Sequence, residues 1–242
     1  MEIHRSSVII FVLIIIFAVI HSGGAALRSR AEKIMGPRLW RLIFVSMSLP
    51  SALILISYFL SHRYDGLRLW NVQGNQFVFY IVWIITAVSF IFLYPATYNL
   101  LEIPSVIKPQ IRIYSSGIMR ITRHPQAFGQ IIWCLAHTLW IGTSFMLITS
   151  IGLILHHLFA IWHGDKRLQD KFGQEFQNFK KETSIIPFLA IIEGRQKIIF
   201  SEFIRFSQLG ILIAIWVIWW SHKYINIAVM TFNSSNLSKI LN

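Results

Sequence analysis

Charge is scarce in this chain. Only 13% of its 242 residues are Asp, Glu, Lys or Arg, and five long apolar stretches contain none of them. With 55% hydrophobic residues, that composition excludes an ordinary soluble domain. Cysteine is nearly absent too. The single residue, Cys134, excludes any disulfide within the chain and confines a redox role for its thiol to a ligand or another chain. The missing carboxylates narrow the chemistry further: a proton relay or ion path through the apolar stretches would ordinarily recruit Asp or Glu. No internal repeat or low-complexity tract is present, and the chain reads as one domain over residues 1–242.

What remains is a pattern of membrane spans. Length and absence of charge place them at Val8–Leu27, Leu42–Leu60, Phe77–Tyr98, Gln126–Ile141 and Phe145–Trp162. A sixth begins near Leu209, with an indistinct far end because Ser221, His222 and Lys223 interrupt the apolar run. Pro50 is a candidate kink in the second span. The expected fold is all-α, a polytopic transmembrane helical bundle of about six spans.

The formal charge of +12 is distributed by side of the membrane. Loops near 28–41, 99–125 and 163–207 hold five, four and eight Lys or Arg, so 17 lie on one side against 5 on the other. The positive-inside rule then turns the N-terminus away from the cytoplasm or stroma. The positive charge serves topology and anionic headgroups, and nucleic acid is not an expected partner. Residues 1–7 are too short for a transit peptide and no signal-type cleavage site follows the first apolar run. The expectation is insertion as synthesised, as in a bacterial membrane protein or one encoded in a plastid.

Between the fifth and sixth spans, Leu168, Phe172, Phe176 and Phe179 recur at helical spacing, with Lys166, Arg167, Lys171, Lys180 and Lys181 on other faces. This predicts an amphipathic interfacial helix, serving as a surface anchor or as an entry platform for a lipophilic substrate.

The apolar stretches hold the only cysteine and four histidines: His21, Cys134, His137, His156 and His157. Imidazole and thiol without carboxylate suit a metal or haem iron. Cys134 and His137, three apart, share a helical face, whereas His156 and His157 point about 100° apart, so at most one of them serves a given site. Counted from the basic face at roughly 1.5 Å per residue, His157 lies closer in depth to His21 than His137 does. Arg123, His124 and Pro125 lead into the fourth span, where the positive helix end suits a small anion or cofactor carboxylate. His163 and Asp165 read as surface caps and anchors.

The stretch GIMRITRHPQAFGQIIWCLAHTLWIG, followed by HHLFAIWHGDKRL, KKETSIIPF and IIEGRQK, resembles the 15-cis-zeta-carotene isomerases, plant, algal and cyanobacterial relatives of the NnrU membrane proteins. His21-Ser22-Gly23 and Arg28 match the family opening, and the resemblance runs from about His21 to Lys197. It implies an integral membrane isomerase that rotates the central double bond of 9,15,9'-tri-cis-zeta-carotene to give the 9,9'-di-cis form, using ferrous haem b. It implies His21 and His137 as catalytic iron ligands, with Cys134 as an alternative, redox-linked ligand; Arg123 and His124, from their place at the helix end, join them as cofactor-binding candidates. The depth count keeps His157 as the alternative to His137. Implied partners are the carotenoid, membrane lipid, neighbouring carotenoid desaturases and a redox donor, in a plastid or cyanobacterial membrane.

That reading suits the substrate: a central polyene bond has no acidic proton and no leaving group, so acid–base or nucleophilic machinery has little to do. Two other classes compete with it. Arg123-His124-Pro125 also resembles the isoprenylcysteine-type membrane methyltransferases, although Gln126-Ala127 replaces the tyrosine pattern that usually follows. A haem-bearing electron carrier or sensor without turnover would account for the ligands alone.

Overall fold

The computed structural model describes residues 4–97, 113–203 and 206–241. Among the described residues the principal helices are seven: α1 (Arg5–Met35), α2 (Pro37–His62), α3 (Gln76–Thr97), α4 (Pro125–Ile141), α5 (Ser144–Phe172), α6 (Gln174–Glu182) and α7 (Phe206–Leu241). No strand occurs among the described residues; the backbone holds one isolated bridge, between Arg68 and Thr143. The fold is all-α and polytopic, as the apolar spans require. Among the described residues five helices are long and apolar enough to cross a membrane, namely α1, α2, α3, α5 and α7. The expected fourth span forms as α4, but its 17 residues put it at the short end for a crossing.

Several boundaries differ from the sequence expectation. α1 continues to Met35, and midway it widens into a π-helical turn over Val19–Gly23. α2 runs unbroken through Pro50, and α7 runs through Ser221, His222 and Lys223. Tyr98, the expected end of the third span, lies outside the described residues, as do Lys108, Arg112 and Arg205 of the basic loops. The amphipathic helix is present but divided at Gly173: Leu168 and Phe172 end α5, while Phe176 and Phe179 are buried on α6.

The chain divides into two units. The first comprises Met1–Phe79, His137–His156 and Ser221–Asn242. Its core gathers Ile10 and Ile14 of α1, Leu55 of α2 and Phe145 of α5, with Phe17, Tyr58 and Phe59 packed around them. Lipid is as apolar as these side chains, so close packing holds the helices together here more than escape from water does. Val12, Ile15 and Ile16 accordingly point outward at no cost. The α4–α5 turn is fixed by Gly142, whose φ is +66° and where an added Cβ would lie 2.4 Å from the Trp70 carbonyl oxygen. The Gly142 carbonyl accepts the Leu69 N–H at 2.7 Å, the Ser144 N–H donates to Leu67 O at 2.8 Å, and Trp70 Nε1 donates to Leu139 O at 2.8 Å.

The second unit comprises Tyr80–Ala136 and His157–Trp220. α3 and α4 meet closely at Gly129, where an added Cβ would stand 2.8 Å from the Ser89 carbonyl oxygen and 2.9 Å from Leu93 N. The Phe92 and Phe128 rings meet edge to face nearby. The segment after α6 folds back on the entry to α4. Arg123 N–H donates to Ser184 O at 2.9 Å, Phe188 N–H to Ile121 O at 2.9 Å, and the Thr122 hydroxyl to Ile185 O at 2.7 Å. The stretches GIMRITRHP and KKETSIIPF, distant in sequence, are thereby one piece of structure.

Candidate functional site

The first of two histidine settings lies in the first unit. His21 sits within the π turn of α1, a local widening that inserts one residue into the helical repeat and recurs at functional positions. Its Nδ1 is 2.7 Å from the Ser48 hydroxyl of α2, and Ser48 is buried. The Phe17 ring stacks on the imidazole at 5.1 Å between centroids and 18° between planes; Phe44 meets it tilted at 5.4 Å. Phe17 also contacts His156 edge-on at 5.6 Å. Two imidazoles, one hydroxyl and two aromatic rings therefore share one apolar neighbourhood.

His156 thus belongs beside His21, and its neighbour His157 belongs to the second unit, in keeping with their divergent directions on a helix. His137, half-buried, is the first residue of α4 to fall in the first unit. Cys134, fully buried, lies three residues earlier on α4 in the second unit, where Gln130 Nε2 approaches its Sγ at 3.7 Å. Among the described residues no group of three or more His, Cys, Asp or Glu is gathered to hold a metal ion by protein ligands alone.

A haem iron asks less of the protein: one or two axial donors and apolar walls. His21 fits that demand. With Nδ1 engaged by Ser48, Nε2 is the nitrogen that would serve a ligand, and Phe17 and Phe44 supply flat apolar surface.

The second setting is ionic. Asp165 of α5 accepts from Arg123 Nε at 3.2 Å and Nη2 at 3.0 Å through Oδ2, and lies 2.8 Å from His124 Nε2 through Oδ1. The Arg123 and Asp165 side chains are only 9% and 15% exposed, so this is a partly buried network in which each charge depends on its partner. It borders a cavity of about 300 Å³ whose lining includes His157, Tyr114, Gln126 and Met119. A second clamp stands beside it. Arg120 Nε and Nη2 donate to the two oxygens of Glu202 at 2.8 and 2.9 Å, and that carboxylate raises the Arg120 pKa above its ordinary value.

Arg123 and His124 are thus brought together, with His157 lining the same cavity. Asp165 is their shared partner and not a surface cap. That role was hidden in the sequence because the residues lie 41 and 42 positions apart. Ser48, Phe17 and the π turn also escaped notice; a hydroxyl within an apolar span was the one available signal.

A family model described as NnrU protein matches residues 9–229. Two curated relatives carry the name 15-cis-zeta-carotene isomerase, chloroplastic, one from Zea mays and one from Arabidopsis thaliana. Each is 52% identical to the chain over 207 residues, which cover 84% of this chain and 57% and 56% of the respective relatives. The chain therefore spans little more than half the length of those curated relatives. No solved structure matches it.

Proposed function

The chain belongs to the NnrU family, and from that premise we propose that it is a plastid-membrane isomerase of a carotenoid, converting 9,15,9'-tri-cis-zeta-carotene to the 9,9'-di-cis form with ferrous haem b. The reading draws on the names of its relatives and on the residues quoted above. The observation that carries it is the setting of His21: an imidazole at a π turn in a membrane span, with aromatic walls and a neutral hydroxyl as its polar partner.

In this proposal His21 holds the iron through Nε2. His137 would be the second imidazole, by family resemblance, with Cys134 as an alternative, redox-linked ligand. When bound, haem supplies transient electron donation or coordination at the central double bond, lowering its order without net oxidation. The chain does the rest. Phe17 and Phe44 keep water from the imidazole and offer flat apolar surface of the kind a polyene lies against. Arg123, His124 and Asp165 pin the start of α4, the helix that carries Cys134 and His137. The basic loops face the stroma and the N-terminus faces away from it. Membrane lipid, desaturases and a redox donor are its expected neighbours.

The test has two parts. Detergent-purified protein should show a Soret band that shifts with dithionite; a protein without one leaves the methyltransferase reading as the better account. In dark-grown cells that accumulate the tri-cis substrate, the chain should raise the 9,9'-di-cis isomer. Light is excluded because it rotates the same bond. Haem-loaded protein that leaves the isomers unchanged in darkness would be an electron carrier or sensor.

A further inference from the structure

The two aromatic contacts of His21 fix the plane of its ring but not its flip. A half-turn about the ring's own bond keeps the stacking on Phe17 and the tilt against Phe44, yet exchanges Nδ1 with a carbon and carries Nε2 to the other edge. Only a polar contact distinguishes the two positions. The one at hand is Ser48, buried, with Oγ 2.7 Å from Nδ1. The Ser51 hydroxyl, by contrast, turns back on its own helix and donates to the Ser48 carbonyl at 2.8 Å.

We propose that Ser48 is the positioning residue of the haem site, selecting the ring flip of His21 that presents Nε2 to the iron and accepting the Nδ1–H of the ligated imidazole. This rests on the haem reading above. Once Nε2 binds iron, a neutral imidazole carries its proton on Nδ1, so Nδ1 donates and Ser48 Oγ accepts. That hydrogen bond raises the basicity of the ligand and favours the ferric state, as outer-shell partners of metal-bound histidines do.

Ser48→Ala should therefore weaken haem binding by about tenfold or more. It should also move the haem potential to more positive values and split or broaden the ferric EPR signal, because two ring orientations become populated. Ser48→Thr should restore all three. Ser51→Ala, which removes a hydroxyl bonded only within its own helix, should change none. If the alanine variant fails to accumulate, Ser48→Thr against Ser48→Val supplies a pair of equal shape that differs by one hydroxyl. A merely structural serine would lower yield or melting temperature without moving the potential or the EPR signal per haem. Haem-loaded Ser48→Ala, or the Thr and Val pair, with wild-type affinity, potential and EPR signal would overturn the inference alone. A wild-type protein with no Soret band would overturn the haem reading and this inference with it.

Discussion

His21 and His124 each sit at a helical irregularity, the one in a π turn and the other just before the first turn of α4, yet their surroundings are opposites. His21 has a neutral hydroxyl and two phenylalanines within reach. His124 is tied to a carboxylate that also holds a guanidinium. An imidazole that meets an uncharged hydroxyl at one nitrogen can ligate through the other. An imidazole locked into a partly buried ion network is structural first, because anything that draws it away leaves a charge stranded. Both were candidate cofactor residues, His21 by family resemblance and His124 by its place at a helix end, and their partners differ.

The sharpest way to break this distinction is at the ligands. His21→Ala should abolish the Soret band or shift it, and reduce dark isomerisation to background, since an axial imidazole supplies both affinity and redox tuning. His137→Ala should do the same, while His157→Ala should retain haem. Absorption spectra per folded protein and isomer analysis of dark-grown cells check all three. Should His156→Ala lose haem while His137→Ala keeps it, the second ligand is the imidazole that shares Phe17 with His21.

Asp165→Asn tests the other side. Removing the charge that Arg123 and His124 share should cost about 3 kcal/mol of stability, read as a fall in thermal midpoint in detergent, while haem per folded molecule stays near normal. Loss of haem at unchanged stability would put the ion network in the cofactor site itself.

Gly129→Ala comes next, because the new methyl group would press on backbone atoms of α3 that cannot simply rotate away. A loss of about 1–3 kcal/mol is expected, again without a spectral change. Cys134→Ala should have the smallest effect on turnover: ferrous activity largely intact, with a change confined to the ferric spectrum. A collapse of ferrous activity would make the thiol more than an oxidised-state ligand.

The sequence made the helices legible because apolar length is a local property, and every expected span forms a helix over its described residues. It did not reveal where they end. α7 crosses Ser221, His222 and Lys223 because a helix satisfies its own backbone whatever its side chains are. The RHP stretch was visible, but Asp165 was not, since its pairing spans 42 residues and nothing near Asp165 marks it as buried. The adjacent pair His156 and His157 gives the same lesson on a smaller scale. Helical geometry says only that they diverge; Phe17 at one and the cavity at the other show what each diverges toward.

The π turn at Val19–Gly23 has a consequence for how this sequence tolerates change. Such a turn holds one residue more than the α-helix it interrupts. Deleting Val19 would leave the hydropathy of the span almost untouched. It would also take the extra residue out of the turn, so that the helix closes to α winding and the residues after it keep their register. Gly24 would keep its seat against Phe44 and the Arg28–Glu32 pair its face, while the widened turn that carries His21 would be lost. A one-codon deletion here is thus nearly silent to any measure of membrane insertion while undoing the geometry around His21.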